Sequence, residues 1–283
     1  MSARLTVPKT YKLAIGGAFP RSESGRTYEV RSPKGEFLAN AAKASRKDAR
    51  DAVLAARAAQ SKWAGATAYN RGQVLYRVAE VLEGRRAQFV DEIVAQQGVS
   101  AAAAGAQVDA AIDLWVWYAG WCDKYAQVAG NLNPVAGAYF NISAPEPTGV
   151  VAIVAPQDDS LLGLVSAVAP ALVSGNAVVV IASEQYPLSS ISFAEVLATS
   201  DVPGGVVNIL TGSPSEMAPW LADHSDVNAV DLVGAGELDW VDLQMRAAET
   251  LKRVLEPGEI LASPQRIAAF TEVKTVWHPK SMV

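Results

Sequence analysis

The sequence predicts an α/β fold: a Rossmann-like, doubly wound parallel sheet with N-terminal helices and an extended β arm. Two observations carry that prediction. Short, mostly apolar runs occupy Val150–Ala155, Ala177–Ala182, Val206–Thr211 and Ala229–Val233, and a further strand is suggested at Leu251–Leu255, which carries Lys252 and Arg253. Helical segments lie between them, starting near Leu161, Leu188, Glu216 and Glu237. Apolar strands separated by helices are βα units, which build a parallel sheet covered on both faces.

The elements follow in order. "KLAIGGAFPRSESGRTYEVRSP" alternates apolar residues with Gly, Ser and Pro turns, as strands do. Ser45 opens "SRKDARDAVLAARAAQSKWAG", where apolar residues recur at helical spacing. Two more helical patterns are "NRGQVLYRVAEVLEGRR" and "AQFVDEIVAQQG". A longer one, "AGAQVDAAIDLWVWYAGWCDKYAQVAG", carries a Trp/Tyr cluster that reads as core packing rather than a base-stacking platform. "GNLNPVAGAYFNISAPEPTG" breaks the helical period and reads as an extended arm. After the last apolar run, "LKRVLEPGEILASP" leads to a short helical piece and an alternating run, "FTEVKTVWHP". A lone strand at a terminus must pair with something.

Composition narrows the function. Of 283 residues half are hydrophobic and 19% charged, which suits one large domain or two small ones. The net charge of −5 and the lack of any RNA or DNA module give no basis for nucleic-acid binding. One cysteine excludes an internal disulfide framework, and the distant His224 and His278 offer no metal-ligand spacing. A reducing cytoplasm is the expected compartment, and "MSARLTVPKTYKLAIGG" lacks the apolar core of a signal peptide. Leu161–Ala182 is uncharged and long enough to span a bilayer. Pro170 and the turn Ser174-Gly175-Asn176 divide it into helix, turn and strand, so no membrane span is expected.

"VVAIVAPQDDSLLGLVSAVAP" is a strand–turn–helix junction, where α/β enzymes place cofactor phosphates and catalytic donors. Its turn holds two carboxylates, Asp158 and Asp159. With Ser160 they are good N-cap and first-turn residues for a helix beginning at Leu161, so the junction reads as a structural cap.

Several stretches resemble the aldehyde dehydrogenase superfamily. They are "LAIGGAFPRSESGRTYEVRSPKGEFLANAAKASRKDARDAVLAARAAQSKWAG", "PTGVVAIVAP", "APALVSGNAVVVIASEQYPLSS", "VPGGVVNILTG", "AAETLKRV" and the closing "TEVKTVW", in the family's order and spacing. The resemblance implies a cofactor-type Rossmann-like domain over residues 1–130 and 148–260. Residues 131–147 and 268–283 become the oligomerisation arm and closing strand. In the family, L-K-R-V is followed by the glutamate of E-L-G-G and then a catalytic domain with the nucleophilic cysteine. Here "LKRVLEPGEILASPQRIAAF" runs almost directly into "TEVKTVW", so the catalytic domain is expected to be absent.

Against the family's motifs, the chemistry is depleted. The sole thiol, Cys122, falls where the family has a small helix residue, and it reads as a core hydrophobe. The oxyanion asparagine of P-W-N-x-P belongs in the stretch that here reads Gln157, Asp158, Asp159, Ser160, and a carboxylate cannot donate to an oxyanion. The lysine of K-P-x-E is Ile181, while Glu184 survives. The turn F-T-G-S-x-x-x-G becomes "LVGAGELD": Gly234 remains, Val233 and Ala235 replace hydroxyls, and Asp239 takes the second glycine's place. Glu184 and Gly234 are thus the vestigial cofactor-binding residues, no catalytic or metal residue is assigned, and no tightly bound NAD(P) is expected. Glu256 lies near the family's E-L-G-G glutamate, but Pro257 and the short spacing make it a loop carboxylate.

In the family, arm and closing strand extend a neighbour's catalytic-domain sheet by strand addition. This chain keeps the giving half of that exchange without the receiving half, and a homodimer of the family type would leave both arms unpaired. The partner the resemblance implies is a full-length aldehyde dehydrogenase, with this chain a non-catalytic subunit. The alternatives are a stand-alone NAD(P)-binding regulatory module and a residual aldehyde oxidoreductase. No Tyr-x-x-x-Lys pair, P-loop, G-x-S-x-G or zinc motif supports a new enzyme site.

Overall fold

The computed structural model describes residues 7–258 and 262–280. An antiparallel hairpin comes first, β1 (Thr27–Arg31) with β2 (Phe37–Ala42). Helix α1 (Arg46–Gly65) begins where the sequence places it. The Ser45 side chain accepts from the Asp48 N–H, and the Asp48 carboxylate accepts from the Ser45 N–H. That reciprocal pair satisfies two donors that a helix start otherwise leaves open. Helices α2 (Ala68–Gly84) and α3 (Arg86–Gln97) follow. The long helix expected next is in fact two, α4 (Ala101–Ala119) and α5 (Tyr125–Ala129). The break falls at Gly120, a poor helix former. There the Trp121 and Cys122 N–H groups bond three residues back, to Tyr118 and Ala119, which tightens and ends the helix.

The arm supplies β3 (Asn131–Asn133) and β4 (Tyr139–Pro147). Then come β5 (Val150–Val154), α6 (Leu162–Val173), β6 (Ala177–Ile181), α7 (Leu188–Ala198), β7 (Val207–Leu210), α8 (Pro214–Asp223), β8 (Ala229–Asp231), α9 (Trp240–Ala248) and β9 (Arg253–Leu255). The expected parallel sheet is present, in the order β7-β6-β5-β8-β9. Strand β9 starts two residues later than its apolar run because Leu251 takes a left-handed backbone (φ 54). There the Lys252 N–H bonds back to the Ala247 carbonyl, closing α9.

The sheet separates two cores. Val151, Ile153, Val178 and Val180 face α6 and α7, which are backed by α2, α3 and α4. Val150, Ala152, Val154, Val179 and Ile181 face α1, α8 and α9. Every residue of β5 and β6 is buried, which is why these strands read as continuous apolar runs. Among the described residues no helix is long and apolar enough to cross a membrane.

A five-residue helix, α10 (Pro264–Ala268), leads into β10 (Thr271–Pro279). The lone terminal strand finds its partner in the arm: β10 pairs antiparallel with β4 along its whole length, in a separate sheet of order β10-β4-β3. Two buried contacts fix that arm to the body. The Asn176 amide donates to Ala171 O and Phe270 O and accepts from the Gly149 N–H. Asp231, fully buried at the end of β8, is paired with Arg266 of α10 at 2.5 Å.

A polar cluster fastens α3 to α7. The Ser192 hydroxyl and Gln88 amide both donate to Glu92 Oε1, while Glu92 Oε2 is sealed from solvent with no partner. Burial raises the Glu92 carboxyl above its ordinary range, against the opposing hydrogen bonds from Gln88 and Ser192. A raised carboxyl stabilises the fold below its unfolded pKa and loses that contribution as pH climbs through the folded one. Glu92→Gln is therefore expected to gain stability relative to wild type as pH rises from about 4 to about 7. Urea midpoints across that range check this, and a constant difference between the two proteins would refute it.

Candidate functional site

The strand order places a topological switch point between β5 and β8, where chain connections leave in opposite directions. Doubly wound sheets bind ligands in the crevice outside the carboxyl ends of the strands there. The crevice exists: one lobe of about 340 Å³ is lined by residues including Gln157, Glu184, Ser213, Pro214 and Leu238. A second of about 630 Å³ runs past Pro156, Asp158, Asp159, Gly163 and Val233. Gly234 and Glu237 border both. Glu184 and Gly234 are thus brought together at one cleft.

Its helix ends are already occupied. Helix α6 begins at Leu162, and Asp159 Oδ1 accepts from the Leu161 N–H at 2.8 Å and the Gly163 N–H at 3.0 Å. The expected cap is therefore real but belongs to Asp159 alone. Ser160 is fully buried, accepting from Gln97, and Asp158 stands exposed. Burial raises the Asp159 carboxyl, and these N–H groups work against that rise. Just past the lining residues Glu237 and Leu238, Asp239 is the N-cap of α9, its Oδ1 accepting from the Asp242 N–H at 3.1 Å. A helix N-terminus binds anions through open N–H groups, and here carboxylates of the chain itself hold them.

Gln157 closes the floor. Its side chain accepts from the Glu184 N–H at 2.9 Å and donates to Ala155 O at 2.7 Å, while its carbonyl accepts from the Ser183 hydroxyl at 2.7 Å. Glu184 is consequently held in place by its backbone. Its charge adds to burial in raising the Tyr28 hydroxyl.

Gly234 has a structural reason to be glycine. A Cβ there would lie 1.9 Å from the Ala155 carbonyl oxygen and 2.5 Å from the Pro156 nitrogen, while the Gly234 N–H bonds to Val154 O. Backbone packing between the β5 and β8 ends forbids any side chain, with or without a ligand. The other residues read from sequence lie outside the cleft. Cys122 is buried in the turn after α4, its Sγ against the Tyr118 carbonyl, and burial pushes its thiol up to about 12. Such a thiol is protonated and unreactive near neutral pH. Glu256 is exposed just after β9 and is not among the cleft-lining residues.

Two lining groups escape a sequence reading. Gln157 looks like a lost tryptophan, and its bridging role needs the two loops to be side by side. Glu237 carries a signal, since it adds to a run of acids in the switch-point turns. Asp158, Asp159, Glu184 and Glu237 line the cleft, and no lysine or arginine is among its described lining residues. A dinucleotide's pyrophosphate would meet negative charge and capped helix ends. One carboxylate about 4 Å from a phosphate charge opposes it by about 4 kcal/mol at an effective dielectric near 20. The residues present do not fit that cofactor.

Fold and cleft define a doubly wound α/β protein of the dinucleotide-cleft class. The comparisons make this specific: residues 19–256 match the aldehyde dehydrogenase family. The chain is 33% identical over 264 residues to cytosolic 10-formyltetrahydrofolate dehydrogenase of Mus musculus, covering 90% of this chain and 29% of the relative. It is 33% identical over 253 residues to cytosolic aldehyde dehydrogenase 1 of Elephantulus edwardii, covering 87% and 50%. Among solved structures, the NAD+ complex of an aldehyde dehydrogenase from Bacillus cereus superposes with a TM-score of 0.81 at 28% identity, covering 87% of this chain and 50% of that one. PnpE from Pseudomonas sp. WBC-3 gives 0.81 at 27% identity. The chain belongs to the aldehyde dehydrogenase family, and it spans half or less of the length of these relatives.

Because the contact at Gly234 is backbone to backbone, Gly234→Ala is expected to destabilise the fold by about 3 kcal/mol. Urea denaturation without any nucleotide measures this. A loss below about 0.5 kcal/mol, as at an open surface site, would show that the glycine is not a packing requirement.

Proposed function

We propose that this chain is a cytoplasmic, non-catalytic member of the family that assembles with a full-length aldehyde dehydrogenase, stabilising or organising it through the arm and β10. One observation carries the reading. The arm sheet presents apolar side chains to solvent, with Leu132, Phe140, Ile142, Val273 and Trp277 all exposed, and among the described residues no strand pairs with the outer edge of β10. Exposed strand edges and apolar faces of this kind mark interaction surfaces. The protonated thiol of Cys122 and the capped, acidic cleft support a role other than oxidation, with NAD(P) bound weakly at most.

The second reading is a stand-alone NAD(P)-binding regulatory module, favoured by the persistence of the switch-point cleft and of Glu184 within it. The four cleft carboxylates weigh against it. A residual aldehyde oxidoreductase has less support, because no reactive thiol lies near the cleft.

Co-expression with a full-length relative from the same cell tests the assembly. The expected result is co-elution on size-exclusion chromatography and a higher melting temperature for the relative. Elution of this chain as a stable monomer, with the relative present in excess, would overturn the proposal.

A further inference from the structure

The open edge of β10 is complementary to itself, and we infer that the free chain forms a twofold dimer by pairing β10 antiparallel with the β10 of a second copy. This goes beyond assembly with a relative and concerns the chain on its own, since a relative bound at the same edge would compete with the second copy. It is also not the family-type dimer considered from sequence, since it needs no receiving sheet.

The backbone fixes which groups are free. The Phe270 carbonyl accepts from the Thr148 N–H, and the Lys280 N–H donates to the Ala138 carbonyl, so even-numbered residues face β4. The register runs from Thr271↔Pro147 to Pro279↔Tyr139 without a bulge. In an antiparallel ladder bonded residues alternate, so Val273, Thr275 and Trp277 turn their N–H and C=O groups outward. A second strand can bond to this edge only through its own odd-numbered residues.

Side chains then choose among the registers. Centring the twofold on Thr275 overlaps all nine residues. It sets Val273 against Trp277 of the second copy, and these side chains are 67% and 57% exposed in the single chain. It leaves no like charges facing each other, and Glu272, which falls opposite His278, stays paired with Arg253 of its own chain at 2.6 Å. Moving the centre to Lys274 opposes two lysines, and moving it to Val276 shortens the overlap. Like charges directly opposite are destabilising, whereas apolar and opposite-charge pairs each add to the pairing. A contact in which one patch meets itself about a twofold closes after two copies.

Variants of the full chain with one cysteine added beside the buried Cys122, without any relative present, test this. In the Thr275-centred register the two copies of residue 275 have Cα atoms about 5.5 Å apart, within disulfide range. Thr275→Cys is therefore expected to cross-link to a covalent dimer on mild oxidation. The two copies of residue 273 lie about 13 Å apart at ~3.3 Å per residue, so Val273→Cys should not cross-link. Sedimentation should give a dimer for wild type and a monomer for Thr275→Pro, which removes only an outward N–H. A monomeric wild type, or equal cross-linking at 273 and 275, would overturn the inference. The cysteine pair decides the matter even if the proline variant fails to fold. Failure to bind a relative is read in a separate experiment and leaves this result untouched.

Discussion

Asp159 holds the N–H groups of Leu161 and Gly163, and the character of the cleft follows from that occupancy. A doubly wound sheet creates a crevice at its switch point whatever the sequence, because the connections part there. What makes such a crevice receive a phosphate is the set of open donors at the adjoining helix starts. In this chain such donors are satisfied internally, by Asp159 at the start of α6 and by Asp239 at the start of α9. The fold keeps the geometry of a cofactor site, and its side chains have given the donors other partners.

The arm shows the opposite balance. Its attachment is well built: Asn176 bonds across to Phe270, and the buried Asp231–Arg266 pair ties the end of β8 to α10. Removing one member of such a pair strands a buried charge, a loss of about 3–5 kcal/mol. Beyond that anchor, the arm exposes a strand edge and apolar side chains that an isolated protein would be expected to cover.

Much of the fold was legible in the sequence, for identifiable reasons. Buried parallel strands have to be apolar on both faces, so β5 and β6 appear as runs. The start of α1 is written in Ser45 and Asp48, whose side chains bond only locally. Local signals were weaker where tertiary contacts decide. The helix through the Trp/Tyr cluster keeps its apolar period past Gly120, yet the chain turns there. Asp158, Asp159 and Ser160 look alike as caps, and only packing assigns the role to Asp159. Gly234 reads from sequence as a vestigial cofactor-binding residue, whereas the structure makes it a packing glycine, closed upon by the chain's own Ala155 carbonyl. No sequence pattern distinguishes those two reasons for a glycine. The bridging by Gln157 depends on two loops meeting, which the sequence does not display.

The central claim is that the helix-start donors beside this cleft are satisfied by the protein itself. Amide NMR during titration with NAD+ tests it directly, following the N–H signals of Leu161, Gly163 and Asp242. If the carboxylates hold these groups, the signals stay unchanged while ligand is raised into the millimolar range. Saturable shifts of the three amides at micromolar NAD+ would show that the carboxylates yield to a phosphate, and would contradict the account.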